Sequence, residues 1–429
     1  MKNLFWLPLF FIMSHSYGQQ KEYKVDALVS PLKSLKIITV GGPMADILGF
    51  DNKSVQYAID SYGPEGGTVR LLPGTFLIES PIKLKSNIKL IGSGPDTKLQ
   101  KTKGVQTKFI IDADYGELKI TVDNPDGFLP GMKIQVTDNE NSSCWNVSTA
   151  YITNIEDNVI YIDDYLIRDY RSDLEGLISN ACSLIEIIDA ENVIVESLFI
   201  DGMKANNYKA DGCNSSGIYI FKSKKVTVDK IIVKDFNGEG ISWQITENVT
   251  IKNCEISGSG NTGLHPGTGS PLTIIENNNV HHNQVDGLFI CWRVHHSIVR
   301  SNKFHNNGRY GICTGHKDTD VLFEGNHIYN NGSDGINLRG ERADNAPHRN
   351  IFSGNIIENN GLNGSGYGMS FNSPAEDIVV KENIIRDTGQ GTQVSGLFFY
   401  KSALPALIEK NKMEGHSRGD ILYESNVRK

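Results

Sequence analysis

Glycines at 240, 263, 287, 311 and 335 are each followed by a short run in which chemically active side chains recur at fixed offsets. Two residues on stand Ser242, His265, Phe289, Cys313 and Asn337; four on stand Gln244, Gly267, Cys291, Gly315 and Arg339. Six on, three of the runs carry Arg293, Lys317 and Glu341, with Trp292 and His316 beside them. Cations gathered at equal offsets repel one another unless an anion binds among them, so the pattern points to an acidic ligand. An acidic sugar fits. β-Elimination on a uronic acid needs a positive group to neutralise the carboxylate, a base for the C5 proton and an acid for the group leaving C4.

On that reading Arg293 and Arg339 clamp the carboxylate. Lys317 or His316 is the base, with crowding by cations lowering the lysine pKa, and His265 protonates the leaving oxygen. The expected catalytic set is therefore Lys317, His316, His265 and Arg293, and the expected substrate-binding set is Arg339, Trp292, Asn337, Glu341 and Gln244. A glycosidic leaving oxygen makes the enzyme a polysaccharide lyase; a hydroxyl makes it a dehydratase. Two rivals stand beside this reading. A glycoside hydrolase would use a carboxylate pair, Asp318 with Glu341 or Asp334. A non-catalytic glycan binder would show an aromatic stripe, for which Trp292, Phe289 and Tyr310 are the material. No metal site is expected; Ca²⁺ at Asp318 and Asp320 is the one cofactor considered. The six cysteines form no C-x-x-C pair, so they read as buried small hydrophobes or one disulfide and not as a zinc site.

Equal offsets matter only if successive runs stack. A glycine followed by an apolar residue recurs at 217, 240, 263, 287, 311, 335, 368 and 396, and an asparagine series runs in phase at 253, 278, 302, 326, 355, 383 and 411. Two series sharing one period of about 24 residues indicate a solenoid. After each glycine the apolar residues alternate, as in Leu288/Ile290 and Ile336/Leu338, which is the period of strand and not of helix. Several strands per turn without helical connections make an all-β parallel β-helix, in which equivalent residues sit about 4.8 Å apart. The 43 Gly and 39 Asn then read as corner residues that tolerate left-handed backbone, with asparagine amides bonding from coil to coil.

Residues 1–18 read as a signal peptide: Lys2, an apolar run from Leu4 to Met13, then small and polar residues to Gly18. Residues 19–103 form an N-terminal cap and first coils, 104–179 a β insertion read as padding or an oligomer contact, and 180–429 the coils with the site. The coil that starts at Gly335 is 33 residues long, and Ala343–Arg349 or Leu362–Tyr367 is expected to wall off one end of a groove.

The stretch from Phe50 to Asp60, followed by Gly66-Gly67-Thr68-Val69-Arg70-Leu71-Leu72-Pro73-Gly74-Thr75-Phe76, resembles the capping helix and first coil of right-handed parallel β-helix proteins of the pectate-lyase superfamily. The resemblance implies the fold and its hand, with a capping helix. It does not select a reaction, because the superfamily spans lyases, hydrolases, esterases, epimerases and phage tailspikes. The Trp-Ile-Asp-His motif of pectate lyases and the motif set of polygalacturonases are absent. The segment Asp286-Gly-Leu-Phe-Ile-Cys-Trp-Arg with Gly311-Ile-Cys-Thr-Gly-His-Lys-Asp-Thr-Asp is similar to the oligosaccharide dehydratases of ulvan-degradation loci. That similarity implies dehydration of a non-reducing uronic acid.

The net charge of −8 excludes a nucleic-acid binder, which carries a basic field. The expected partner is an acidic oligo- or polysaccharide. No membrane anchor is expected, the compartment is periplasmic or extracellular, and the assembly is a monomer or a homotrimer.

Overall fold

Alternating apolar residues fold as short strands, each paired in parallel with the strand one coil later: Ile241 with Leu264, Leu264 with Leu288, Leu288 with Ile312 and Ile312 with Ile336. The computed structural model describes residues 37–424, so the expected signal peptide lies outside the described residues. Three long sheets of 13, 11 and 11 strands stack as a right-handed parallel β-helix. The inward column of each sheet is aliphatic or aromatic; Ile241, Leu264, Leu288, Ile312 and Ile336 are all fully buried. Each such side chain contributes about 1.5–3 kcal/mol on burial.

A helix at Asn52–Asp60 closes the N-terminal end with Val55, Ala58 and Ile59 facing the first coil. Asp51 caps it: Ser54 N donates to Asp51 Oδ1 at 2.7 Å, and Ser54 Oγ accepts from Asp51 N.

The glycine and asparagine series have physical causes other than corner conformation. No glycine of the series has a left-handed φ. A Cβ on Gly311 would lie 2.4 Å from Ile328 Cγ2 and 2.7 Å from the Gly335 carbonyl, so space requires glycine there. The series asparagines 278, 302, 326, 355 and 383 are buried, and Asn411 at its end is half-buried. Asn302 Nδ2 donates to Asn326 Oδ1 and to the Ile275 carbonyl, while Asn302 Oδ1 accepts from the amide and side chain of Asn278. Cys254, not Asn253, stands at the head of this ladder, for it is Cys254 N that donates to Asn278 Oδ1. A second ladder, unread in the sequence, runs through Asn283, Asn307, Asn331 and Asn360. Left-handed corners are filled instead by Asn253, Asn306, Asn330, Lys317 and Arg293 among others.

Residues 106–179 leave the coil path as a separate six-stranded sheet with antiparallel pairs and a core of its own around Phe109, Ile134, Ile160 and Tyr170. It is moored to the solenoid by Lys133 and Tyr151, whose Nζ and Oη lie 2.5 and 2.9 Å from the two oxygens of buried Glu186. A second mooring is Gln135, which accepts from Asp211 N and donates to the Lys209 carbonyl.

Candidate active site

The sheet that follows the ladder glycines turns an outward column of side chains away from the core. Its register runs Glu186, Tyr219, Ser242, His265, then Phe289, Cys313, Asn337 and Ser370. The offsets read in the sequence are therefore real rungs. What the offsets did not show is that the insertion and the Tyr208–Cys213 segment roof one end of this column.

Beneath that roof lies a cleft of about 520 Å³ lined by Cys144, Asp211, Cys213, Glu239, His265, Phe289 and Arg309. His265 and Glu239 are only 5% and 4% exposed. His265 Nδ1 stands 3.7 Å from Glu239 Oε1, an ion-pair distance beyond hydrogen-bond reach. Glu239 Oε1 accepts from Asn261 Nδ2 at 2.7 Å, whereas Glu239 Oε2 and both ring nitrogens of His265 have no hydrogen-bond partner. Burial works against the imidazolium, but Cys291 and the Glu239 carboxylate together outweigh it and raise the His265 pKa to about 10. Gly212 leaves the room for Glu239, since a Cβ there would fall 1.9 Å from Glu239 Cδ.

Arg309 faces the same cleft and holds Asp286 bidentately, Nε to Oδ1 at 2.9 Å and Nη2 to Oδ2 at 2.6 Å. Asp211 is half-buried, and the loss of solvent pushes its carboxyl up to about 6 although it accepts from Cys144 N, Cys213 N and Asn214 Nδ2. The Cys213 sulfur draws the Cys144 thiol down and is itself pushed up by the same contact.

The residues singled out in the sequence divide into two groups. His265 belongs to the cleft and is buried beneath the roof. Gln244 is fully buried one strand earlier and donates to Ser242 Oγ. Asn337 donates to Ser370 Oγ, which in turn donates to Asp334. Arg339 does not join Arg293 and Lys317. It lies back across Gly315, with its guanidinium 4.6 Å from the Phe289 ring, and donates to the Ile290 carbonyl at 2.9 Å. A Cβ at position 315 would meet Arg339 Nε at 2.7 Å, so glycine opens that path. Asp318 Oδ2 faces Arg339 Nη2 at 3.6 Å.

Arg293 and Lys317 are exposed neighbours at a left-handed corner, where Arg293 N donates to the His316 carbonyl. Beside them Trp292, 45% exposed, packs its ring 5.0 Å from His316, and His316 Nδ1 is 3.3 Å from Glu341 Oε2. The corner lies four residues beyond the Phe289 rung, past the end of the strand Leu288–Phe289. The expected triad of cations is thus split by the inward fold of Arg339. At the pair weighed for Ca²⁺, Asp318 is engaged by Gly315 N, Val294 N and Arg339, and Asp320 by Arg349. The wall expected from the long coil after Gly335 is supplied at this cleft by the insertion, through Ser142–Cys144.

Glu239, Asp286 and Arg309 were missed, although the two carboxylates carried a signal. Glu239, Asp286 and Asp334 each stand immediately before a ladder glycine, one position outside the offsets read. Cys144 had no such signal, because its place is set by how the insertion packs.

Comparison with known proteins agrees with this architecture. No curated protein sequence matches the chain. The A-module of the Azotobacter vinelandii mannuronan C-5 epimerase AlgE4 is similar in fold, with a TM-score of 0.55 at 15% identity over 86% of this chain and 93% of that one. The AlgE6 A-module of the same organism gives 0.52 at 13% identity, covering 86% of this chain and 93% of that one. ORF18 of Geobacillus virus E2 gives 0.51 at 13%, covering 87% and 61%. Residues 197–352 match the right handed beta helix region, and residues 42–265 match a second family over more than half of the chain. The chain accordingly belongs to the family described as rhamnogalacturonase A/epimerase, pectate lyase-like.

Proposed function

We propose that this chain is a carbohydrate-active enzyme, a carbon–oxygen lyase that performs β-elimination on a uronic-acid-containing glycan in the cleft of Glu239 and His265. The observation that carries the reading is a buried acid–base pair with unused hydrogen-bonding capacity facing that cleft. Buried polar groups without partners are rare and mark a place where a ligand completes them. The family description and the C-5 epimerase names of two fold relatives support a saccharide substrate.

In this mechanism Arg309 and the His265 imidazolium offset the charge of the uronate carboxylate, which makes the C5 proton removable. Glu239 Oε2 takes that proton. The C5–H electron pair becomes the C4=C5 double bond, the C4–O bond breaks, and His265 protonates the leaving oxygen. Glu239 is then protonated and His265 neutral, and proton return across their 3.7 Å separation restores both. The roof over one end of the cleft supports a chain end as substrate. The leaving group is then a hydroxyl released as water, which makes the enzyme a dehydratase acting on an ulvan-type oligosaccharide. Export by residues 1–18 to the periplasm or medium belongs to the same proposal.

The test is incubation of the purified chain with a panel of uronate-ended oligosaccharides, followed by mass spectrometry and near-ultraviolet absorbance. Loss of one water with a new conjugated double bond supports dehydration, and chain cleavage with the same absorbance means a polysaccharide lyase. Reducing ends without absorbance mean hydrolysis and overturn elimination. Unchanged mass with inverted C5 means epimerisation and overturns it as well.

A further inference from the structure

At the mouth of the cleft, Cys144 of the insertion meets Asp211 and Cys213 of the solenoid, and one ligand-type atom from each lies within 4.8 Å of the other two. We propose that these three side chains bind a thiophilic divalent cation, with zinc the best match, and leave a fourth coordination position open toward Glu239 and His265.

The geometry is close to that of a bound ion. Zinc–sulfur and zinc–oxygen distances of about 2.3 and 2.0 Å set tetrahedral ligand atoms about 3.5–4 Å apart, so small rotations about the Cys144 and Asp211 side chains bring the three into range. The backbone is already organised for this. Asp211 Oδ1 accepts from Cys144 N at 2.7 Å, Asp211 Oδ2 accepts from Cys213 N at 3.1 Å, and Asn214 Nδ2 bridges the Cys144 carbonyl and Asp211 Oδ2. Ligating carboxylates are commonly held by such outer bonds, and Oδ1, which accepts only one, keeps a lone pair for the ion.

A second observation points to a ligand at the same place. Glu239 Oε2 and both nitrogens of His265, all buried and unpartnered, line the same cleft as the three candidate ligands. Charge agrees too. Two thiolates and a carboxylate carry three negative charges, which favours a dication among them.

Ligand chemistry selects the ion. Two sulfurs and one carboxylate suit zinc and disfavour calcium or magnesium, which take oxygen shells. Three protein ligands with one open position leave room for water or a substrate oxygen. On binding, each thiol releases its proton to solvent. No C-x-x-C spacing announces the site, because 67 residues separate Cys144 from Asp211 and the two join only across the insertion contact.

The experiment is cobalt titration of the reduced, full mature chain, with zinc as competitor. The expected result is one Co²⁺ per chain with a thiolate-to-cobalt charge-transfer band, erased by zinc. Cys144→Ser and Cys213→Ser should each lower that band by about half, and Asp211→Asn should weaken cobalt binding by about 10-fold or more. Should a variant fail to fold, the wild-type chain alone decides through a zinc-dependent rise in Tm that a chelator reverses. Cobalt bound without a thiolate band, or no stoichiometric cobalt on a chain whose thiols titrate as free, overturns the proposal. So does a Cys144–Cys213 disulfide found by peptide mapping of protein alkylated without reductant. The readout is binding, so the answer does not depend on whether the chain catalyses elimination.

Discussion

His265 Nδ1 and Glu239 Oε1 face each other at 3.7 Å inside the roofed cleft, in neighbouring coils of the same sheet, with Glu239 Oε2 and both ring nitrogens of His265 lacking a hydrogen-bond partner. A pair so placed can exchange a proton with each other and with a bound sugar. Neither could do so from a solvated surface at the same advantage, because water would satisfy both.

Replacing either member by its nearest neutral isostere should therefore stop the chemistry without unfolding the chain. Glu239→Gln and His265→Gln are each expected to lower kcat by about 10²–10⁴-fold. Circular dichroism should stay close to wild type, because neither side chain packs in the apolar core.

The corner cations should behave differently. Arg293 and Lys317 are exposed at a left-handed corner beyond the strand that carries the Phe289 rung, and neither lines the cleft. Arg293→Ala and Lys317→Ala are expected to raise KM for an anionic glycan and weaken its salt dependence, with kcat changed by less than about 3-fold. A steady-state series at two ionic strengths separates the two parameters.

Stability should depend on pH through two histidines of opposite sign. The folded pKa of His265, about 10, lies above its ordinary 6.5, so its contribution is complete below pH 6.5 and is lost as pH rises through 10. His305, half-buried beside His281 and His282, is pushed down to about 4; its contribution is present above pH 6.5 and is lost as pH falls through 4. Denaturant midpoints measured from pH 4 to pH 10 should fall at both ends. His265→Gln should flatten the alkaline limb and His305→Gln the acid one.

Asn302 and Asn306 are four residues apart and should differ sharply. Asn302→Ala removes both side-chain donations of Asn302 and strands the Asn278 amide and side chain, so a loss of about 3 kcal/mol or more is expected. Asn306 occupies a left-handed corner at φ 53°, where Asn306→Gly should stay within about 0.5 kcal/mol. Urea midpoints of the two variants give the comparison.

Arg339→Lys should not be conservative. The lysine would lose the stacked position over Phe289 and the donation to the Ile290 carbonyl, leaving Asp318 with a poorer partner in a buried site. A stability loss of about 1–3 kcal/mol is expected from chemical denaturation.

The fold was legible because a solenoid writes its period into the chain. Gly311 must be glycine since the Ile328 side chain and the next coil's carbonyl occupy the space a Cβ would take. Asn302 must offer both a donor and an acceptor to its neighbours above and below. These demands recur once per coil, so they appear as ladders, and the outward column of Ser242, His265, Phe289, Cys313 and Asn337 could be read from them residue by residue. The carboxylates at 239, 286 and 334 obey the same period and were readable one step before each glycine.

The parts that break the period were not readable. Arg339 points back across Gly315 and pairs with Asp318, a side-chain path that no offset encodes. Residues 106–179 pack as a sheet of their own, and their docking beside Glu186 and Asp211 converts an open face into a roofed cleft. By itself the sequence determined a parallel β-helix, its rungs and the side chains on each rung, because nearest-coil contacts repeat at a constant chain separation. The tertiary structure alone decided which rungs are covered, which charges neutralise one another and which are left unpartnered. Those outcomes depend on contacts between distant segments that share no period.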